Sequence, residues 1–212
     1  MAVITSTVPA LESGDRLTRD EFHRIYSLRP DIKKAELVEG IVYVASPLRS
    51  DSHGEPHADV LLWLGTYRLA SPGVRVSDNA TVLLDVGNEV QPDAVVWRDG
   101  QGARLTDDGY IEGTPSLIVE VAASSASYDL HDKKEAYRRS GVPEYVVWRT
   151  LNGAIDWFRL DPATGEYVTV QPDERGVIES VTFPGLRLAV PKLLDGDLAG
   201  VLAELQKHGG AQ

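Results

Sequence analysis

The 212-residue chain has no cysteine and a single methionine. Without cysteine there are no disulfides, no thiolate nucleophile and no cysteine-based zinc site. That also suits a reducing cytoplasm, where the protein is expected. No apolar run approaches the roughly 20 residues of a membrane-spanning helix. The N-terminus lacks a basic start followed by a long apolar stretch, so no signal peptide is expected. Positive charge is scarce: 21 Lys and Arg stand against 32 Asp and Glu, for a formal charge of −11. Such a balance argues against a generic nucleic-acid binder, which is usually basic. It leaves room for an enzyme with a local basic face, or one that holds metal in a cluster of acids. Also missing are GxxxxGK[ST], a GxGxxG after a strand, and a GxSxG elbow, so P-loop and serine-hydrolase chemistry have no support.

What is present reads as one soluble globular domain. The 42% hydrophobic and 25% charged content is ordinary for that class. The expected division is a loose tail over 1–15, a single domain over 16–207 and a short tail over 208–212. Thr18-Arg19-Asp20-Glu21 has the form of a capping box and predicts a helix to about Ser27. Residues 36–44 read as two short strands around Glu39-Gly40. A helix over 55–70 follows, with Leu61, Leu62 and Leu64 as its apolar face. Strands are expected at 74–76, 80–84 and 94–97, then a long polar loop over 99–114. Residues 117–122 form an apolar run of the kind found in a sheet covered on both faces. Residues 129–140 predict a helix, capped by Ser124, Ser125 or Ser127 and stopped by Ser140-Gly141-Val142-Pro143. Strands at 145–148 and 155–160 flank the turn Asn152-Gly153. Further strands at 167–170, 177–181 and 186–188 precede a helix over 198–205. This order predicts an α/β (α+β) sandwich, a mixed central sheet flanked by helices.

Two acids stand out because each sits at or inside an apolar strand. Asp93 leads into Ala94-Val95-Val96-Trp97, and Glu120 is embedded in Ser116-Leu117-Ile118-Val119-Glu120-Val121. A buried, unpartnered carboxylate costs several kcal/mol or takes up a proton. Two explanations stand. On neighbouring strands the two carboxylates converge on a cation, and oxygen ligands suit magnesium or manganese. Alternatively, Asp93 caps a strand and Glu120 pairs with a buried arginine. On the helix over 129–140, Lys133 and Tyr137 share one face. A lysine there matters only if it lies near both carboxylates. His53 and His57 have zinc-compatible spacing, but no third nitrogen or sulfur ligand is evident.

Four blocks taken together resemble a known family: Gln91-Pro92-Asp93, Leu117-Ile118-Val119-Glu120-Val121, Asp129-Leu130-His131-Asp132-Lys133 and Gly141-Val142-Pro143-Glu144-Tyr145. It is the Uma-two family of nucleases, within the restriction endonuclease-like PD-(D/E)XK superfamily. Glu36-Leu37-Val38-Glu39-Gly40 resembles its "ELIDG" hairpin, and Ser46-Pro47 followed by His53 its "SP…H" segment. The resemblance runs from about Leu17 to Trp148. It implies a restriction endonuclease-like fold and a site in which Glu36, Asp93 and Glu120 hold Mg²⁺ or Mn²⁺. The chain departs from the superfamily pattern two residues beyond Glu120, where Ala122 stands in place of lysine. In this family the following helix supplies the lysine, and Lys133 occupies the matching position. Ser124-Ser125-Ala126-Ser127 replaces the usual "SPS" loop. By the same resemblance, His53, Gln91 and Tyr137 lie near the site.

The expected function is therefore a metal-dependent nuclease that hydrolyses phosphodiester bonds, with DNA favoured as substrate. A nuclease-like fold that only binds, or a hydrolase of smaller phosphoesters, are the alternatives. The strands after Tyr145 offer an interface for a homodimer.

Overall fold

The computed structural model describes residues 9–207. Helix α1 (Arg19–Tyr26) begins at its predicted cap. The Thr18 hydroxyl accepts from the Glu21 N–H, and the Glu21 carboxylate accepts from the Thr18 N–H at 3.0 Å. Strands β1 (Ala35–Val38) and β2 (Ile41–Val44) pair as a hairpin. Its turn residues Glu39 and Gly40 both take positive φ, 51° and 73°, as the two-residue I′ turn demands. A π-helical turn over Ser50–Gly54 leads into α2 (Glu55–Leu69). Then come β3 (Arg75–Asp78), β4 (Val82–Leu83), β5 (Glu89–Val90), β6 (Ala94–Trp97), β7 (Ala103–Leu105), β8 (Ile111–Gly113) and β9 (Leu117–Ala122). The helical stretch after β9 has three parts: α3 (Ala126–Tyr128), a π-helical turn over Asp129–Lys133, and α4 (Lys134–Arg139). Next are β10 (Glu144–Arg149), β11 (Ala154–Leu160) and β12 (Tyr167–Thr169). The last described elements are β13 (Val177–Glu179), β14 (Arg187–Ala189), α5 (Val190–Leu194) and α6 (Leu198–Gln206).

The strands make two six-stranded sheets, ordered β2-β1-β5-β4-β8-β7 and β12-β11-β10-β9-β6-β3, plus the β13-β14 hairpin. Both large sheets are mixed: β4 and β8 run parallel in the first, β9 and β10 in the second. The predicted mixed α/β architecture is the one observed. Alternation along β6 and β9 sets the layers. Ala94, Val96, Leu117, Val119 and Val121 pack with Trp63 of α2 and Val201 of α6. Val95, Trp97, Ile118 and Ala122 point the other way, toward Ala136 and Tyr137 of α4 and Val82 and Val90 of the first sheet. By this period of two, Asp93 and Glu120 belong to the second face. Among the described residues, no helix is long and apolar enough to cross a membrane.

Several local expectations give way to packing. The buried stripe of α2 is Val60, Trp63, Leu64 and Tyr67, spaced i, i+3, i+4, i+7. Leu62 lies off that stripe and is exposed, and Leu61 only packs at its margin. The loop expected over 99–114 contains β7 and β8. Their polar, half-exposed residues hid them: only Ala103 and Ile111 are buried. There a Cβ on Gly102 would sit 2.6 Å from the Thr114 carbonyl, so the backbones meet only without a side chain. Strand β5 and helix α5 were also not expected, being very short. The helix after β9 starts earlier than expected, and its N-cap Ser125 makes no side-chain capping bond. The tail expected over 1–15 is held against the body where it is described. Leu11 is buried in a cluster with Phe22 and Leu37, and the Gly14 N–H donates to the Val42 carbonyl. Residues 1–8 and 208–212 of the expected tails lie outside the described residues.

Candidate active site

Strand register brings the two acids together. β6 and β9 pair antiparallel, with Ala94 opposite Val119 and Val95 opposite Ile118. One step further puts Asp93 opposite Glu120, and directly opposed residues share a face of the sheet. The Asp93 N–H lies 3.4 Å from Glu120 Oε2. Glu36 arrives from β1 of the other sheet, where its Oε1 accepts from the Gln91 N–H at 2.8 Å. All three carboxylates are buried.

Lys133 comes from the crossover between β9 and β10. Parallel neighbours cannot be joined by a tight turn, so the connection must run back over the sheet, here as a helix. Its Nζ lies 2.8 Å from Glu120 Oε1, 2.9 Å from Glu36 Oε1 and 3.8 Å from Asp129 Oδ1. Tyr137, one turn later, donates its hydroxyl to the same Glu120 Oε1 at 2.9 Å. The charge in the apolar strand is thus answered by a lysine and a tyrosine. No buried arginine is involved.

Asp93 has a different set of partners. Its Oδ2 accepts from the Val121 N–H at 2.8 Å and lies 3.2 Å from His53 Nε2. Its Oδ1 accepts from Lys34 Nζ at 3.3 Å, and Lys34 also donates to Asn79 Oδ1 at 3.0 Å. His57 Nε2 lies 2.7 Å from the Asp93 carbonyl oxygen and 3.1 Å from Asp78 Oδ1. The two histidines therefore bracket one aspartate, side chain and main chain, and do not form a zinc pair.

The opposed environments push the two acids apart. Burial works against ionisation of Asp93, but the His53 hydrogen bond and the charge of Lys34 outweigh it and hold the carboxyl below its usual range. For Glu120, burial dominates. Lys133 only partly offsets it, neighbouring Asp93, Asp129 and Glu36 add to it, and the pKa is pushed up to about 8. Burial opposes the charge on Lys133 as well, yet Glu120, Glu36 and Asp129 keep it firmly protonated. Pairs of titratable groups driven apart in this way are a mark of functional sites.

These groups line a cavity of about 310 Å³ that also exposes Lys34 and Tyr128. Their fit to a divalent cation is testable from donor chemistry. Glu36, Asp93, Glu120 and Asp129 offer only hard carboxylate oxygens, which suit Mg²⁺ or Mn²⁺. Four carboxylates face two lysines, so the site carries excess negative charge. As they stand, no three His, Asp or Glu side chains among the described residues form a metal-holding group. The ammonium of Lys133 fills the space between Glu36 and Glu120. The residues fit the ion in kind and in charge, and Lys133 holds their present spacing.

Glu36, Asp93, Glu120, Lys133, His53 and Tyr137 thus all meet at one place. Gln91 contributes only its main-chain N–H to Glu36; its side chain donates to Tyr26 and Thr81, at 3.1 and 3.0 Å. Sequence reasoning missed Lys34, Asp129 and Tyr128. A signal existed for Lys34, which stands two residues before Glu36 and so shares its face of the extended chain. For Asp129 the signal was its place four residues before Lys133, one helical turn away on the same face; for Tyr128, off that spacing, there was none.

Residues 19–191 match the Uma2 family, described as "Putative restriction endonuclease". No curated protein sequence matches the chain. The fold is similar to the crystal structure of a protein from Anabaena variabilis titled a putative nuclease. The TM-score is 0.63 at 15% identity, over 84% of this chain and 98% of that one. With the match covering most of its length, the chain belongs to the Uma2 family of putative restriction endonucleases.

Proposed function

We propose that the protein is a divalent-metal-dependent nuclease that hydrolyses phosphodiester bonds, with DNA as its substrate and Mg²⁺ or Mn²⁺ as its ion. One observation carries the reading: Glu36, Asp93, Glu120 and Lys133, far apart in sequence, converge on one cavity. Glu36, Asp93 and Glu120 would hold the ion, which when bound activates water and steadies charge on the phosphodiester. Asp93 suits this role because it stays ionised, with the Val121 N–H and His53 fixing its Oδ2. Tyr137 and Lys133 fix the rotamer of Glu120 through its Oε1, so its carboxylate is set before substrate arrives. Lys133 also adds positive potential beside the reacting phosphate. The family membership supports the nuclease class, and the titled neighbour supports the fold.

The test is cleavage of labelled DNA and RNA with Mg²⁺, Mn²⁺ or chelator. Metal-dependent cleavage that disappears in Asp93→Asn is expected; cleavage unchanged in that variant would remove the assignment. A second reading, a nuclease-like fold that only binds, is favoured by the ammonium of Lys133, which already bridges Glu36 and Glu120. Calorimetry separates the two, since the inactive fold takes up no Mn²⁺. Homodimerisation belongs to the proposal too: β12 is the open edge of its sheet, and sedimentation would reveal a pair.

A further inference from the structure

The cavity contains two lysines, and they are not equivalent. Lys133 is 3% exposed and Lys34 is 21% exposed. An ammonium has three N–H donors. Those of Lys133 face Glu36, Glu120 and Asp129. Lys34 has two oxygen partners, Asp93 and Asn79, at 3.3 and 3.0 Å. One of its donors is thus left over, on the side chain that reaches solvent. Tyr128, another residue of the cavity wall, carries a second unused donor. The Tyr128 hydroxyl is buried and has no hydrogen-bond partner among the described residues. A buried hydroxyl without a partner is unfavourable, and an acceptor arriving from outside would satisfy it.

We infer that Lys34 and Tyr128 form the seat for a substrate phosphate, while Lys133, held by three carboxylates, positions Glu36 and Glu120. The inference rests on the nuclease reading and deepens it by naming what meets the phosphodiester. A phosphate oxygen brings both things the cavity wall lacks, an acceptor for the Tyr128 hydroxyl and a negative charge beside Lys34. Lys34 is well placed for the exchange. It now answers Asp93 Oδ1, the oxygen of that carboxylate not bonded to Val121 or His53. A cation held by Asp93 would take over that charge and leave the ammonium to an anion. Lys133, enclosed by carboxylates, has no such freedom.

The experiment measures binding of a fluorescein-labelled DNA duplex by anisotropy, with calcium in place of magnesium, over a range of salt concentrations. Each phosphate contact by a cation contributes about one to the slope of log K against log salt. Lys34→Ala is expected to lower the slope by about 1, and Lys34→Arg to restore it. Tyr128→Phe is expected to leave the slope unchanged and weaken binding by roughly 10-fold, as loss of a hydrogen bond to a charged acceptor does. The same variant should melt at a higher temperature than the wild type without DNA, because it removes an unpaired buried hydroxyl. A purely structural tyrosine would not raise stability and lower affinity together. If the wild type binds and cuts DNA while Lys34→Ala keeps its slope and Tyr128→Phe its affinity, the inference is overturned and the nuclease reading stands. If the wild type neither binds nor cuts DNA or RNA, both fall.

Discussion

Two glutamates sit on the neighbouring parallel strands β9 and β10, both essentially buried: Glu120 and Glu144. By burial alone they are the same anomaly. Their surroundings separate them. Glu144 is answered mostly by neutral donors: the Ser180 hydroxyl, the Val181 N–H at 3.2 Å and the Trp157 indole at 3.4 Å. Arg159 stands off at 3.8 Å. Glu120 is answered by a buried ammonium and shares its space with Asp93, Glu36 and Asp129. It also opens on a cavity, whose lining does not include Glu144. A buried acid in a strand therefore marks no site by itself. What marks one is a set of acids that exceeds its counter-charges and faces a space large enough for a ligand.

The comparison can be broken in order of effect. Lys133→Met removes the buried cation shared by Glu36 and Glu120 and should cost about 3–5 kcal/mol in urea unfolding at pH 9, above the raised pKa of Glu120. Arg159→Met removes a partly exposed cation 3.8 Å from Glu144, whose oxygens keep their neutral donors, and should cost under about 1 kcal/mol. Equal losses would mean that the two glutamates are held alike. Next comes cleavage. Asp93→Asn or Glu120→Gln should lower the single-turnover rate by at least ~10²-fold, the scale of losing one electrostatic contact in a reacting site. Glu144→Gln should leave that rate close to the wild type, and a matching loss there would end the distinction.

A smaller effect concerns pH. The folded pKa of Glu120, about 8, lies above its ordinary value of 4.5. The native state therefore holds more protons than the unfolded chain between those two values, and the free energy of unfolding falls as pH rises through that window. In chelator, Glu120→Gln should flatten this decline; an unchanged slope would show that the proton sits elsewhere. The smallest expected effect is the stability of Glu144→Gln. The Ser180 and Val181 donors keep an acceptor oxygen, and only part of a modest hydrogen-bond contribution of about 1 kcal/mol is at stake. A loss several times larger would mean that Glu144, like Glu120, depends on charge.

Much of this was legible in the chain. The capping box at Thr18, the Glu39-Gly40 turn, the buried run of β9 and the stop after Ser140 follow local rules, and each element stands where those rules put it. The local rules failed where neighbours decide. The strands β7 and β8 carry too few apolar residues to be seen, and they exist because Gly102 and Gly113 let their backbones close up. The apolar face of α2 turned away from Leu62 because Trp63 and Tyr67 supply more area to bury.

The same division holds at the site. Sequence alone determined that Asp93 and Glu120 were anomalous, since an acid in an apolar strand is costly wherever that strand lies. It also determined, through spacing, that Lys133 and Tyr137 share one face, because a helix repeats its face every four residues. Only the tertiary structure decided that β6 and β9 are adjacent and in the register that opposes the two acids. It alone decided that Lys133 is enclosed while Lys34 faces the cavity. Exposure and the sharing of charge depend on which distant segments are packed around a group. That is fixed by burial of the whole core, not by the residues beside it in the chain.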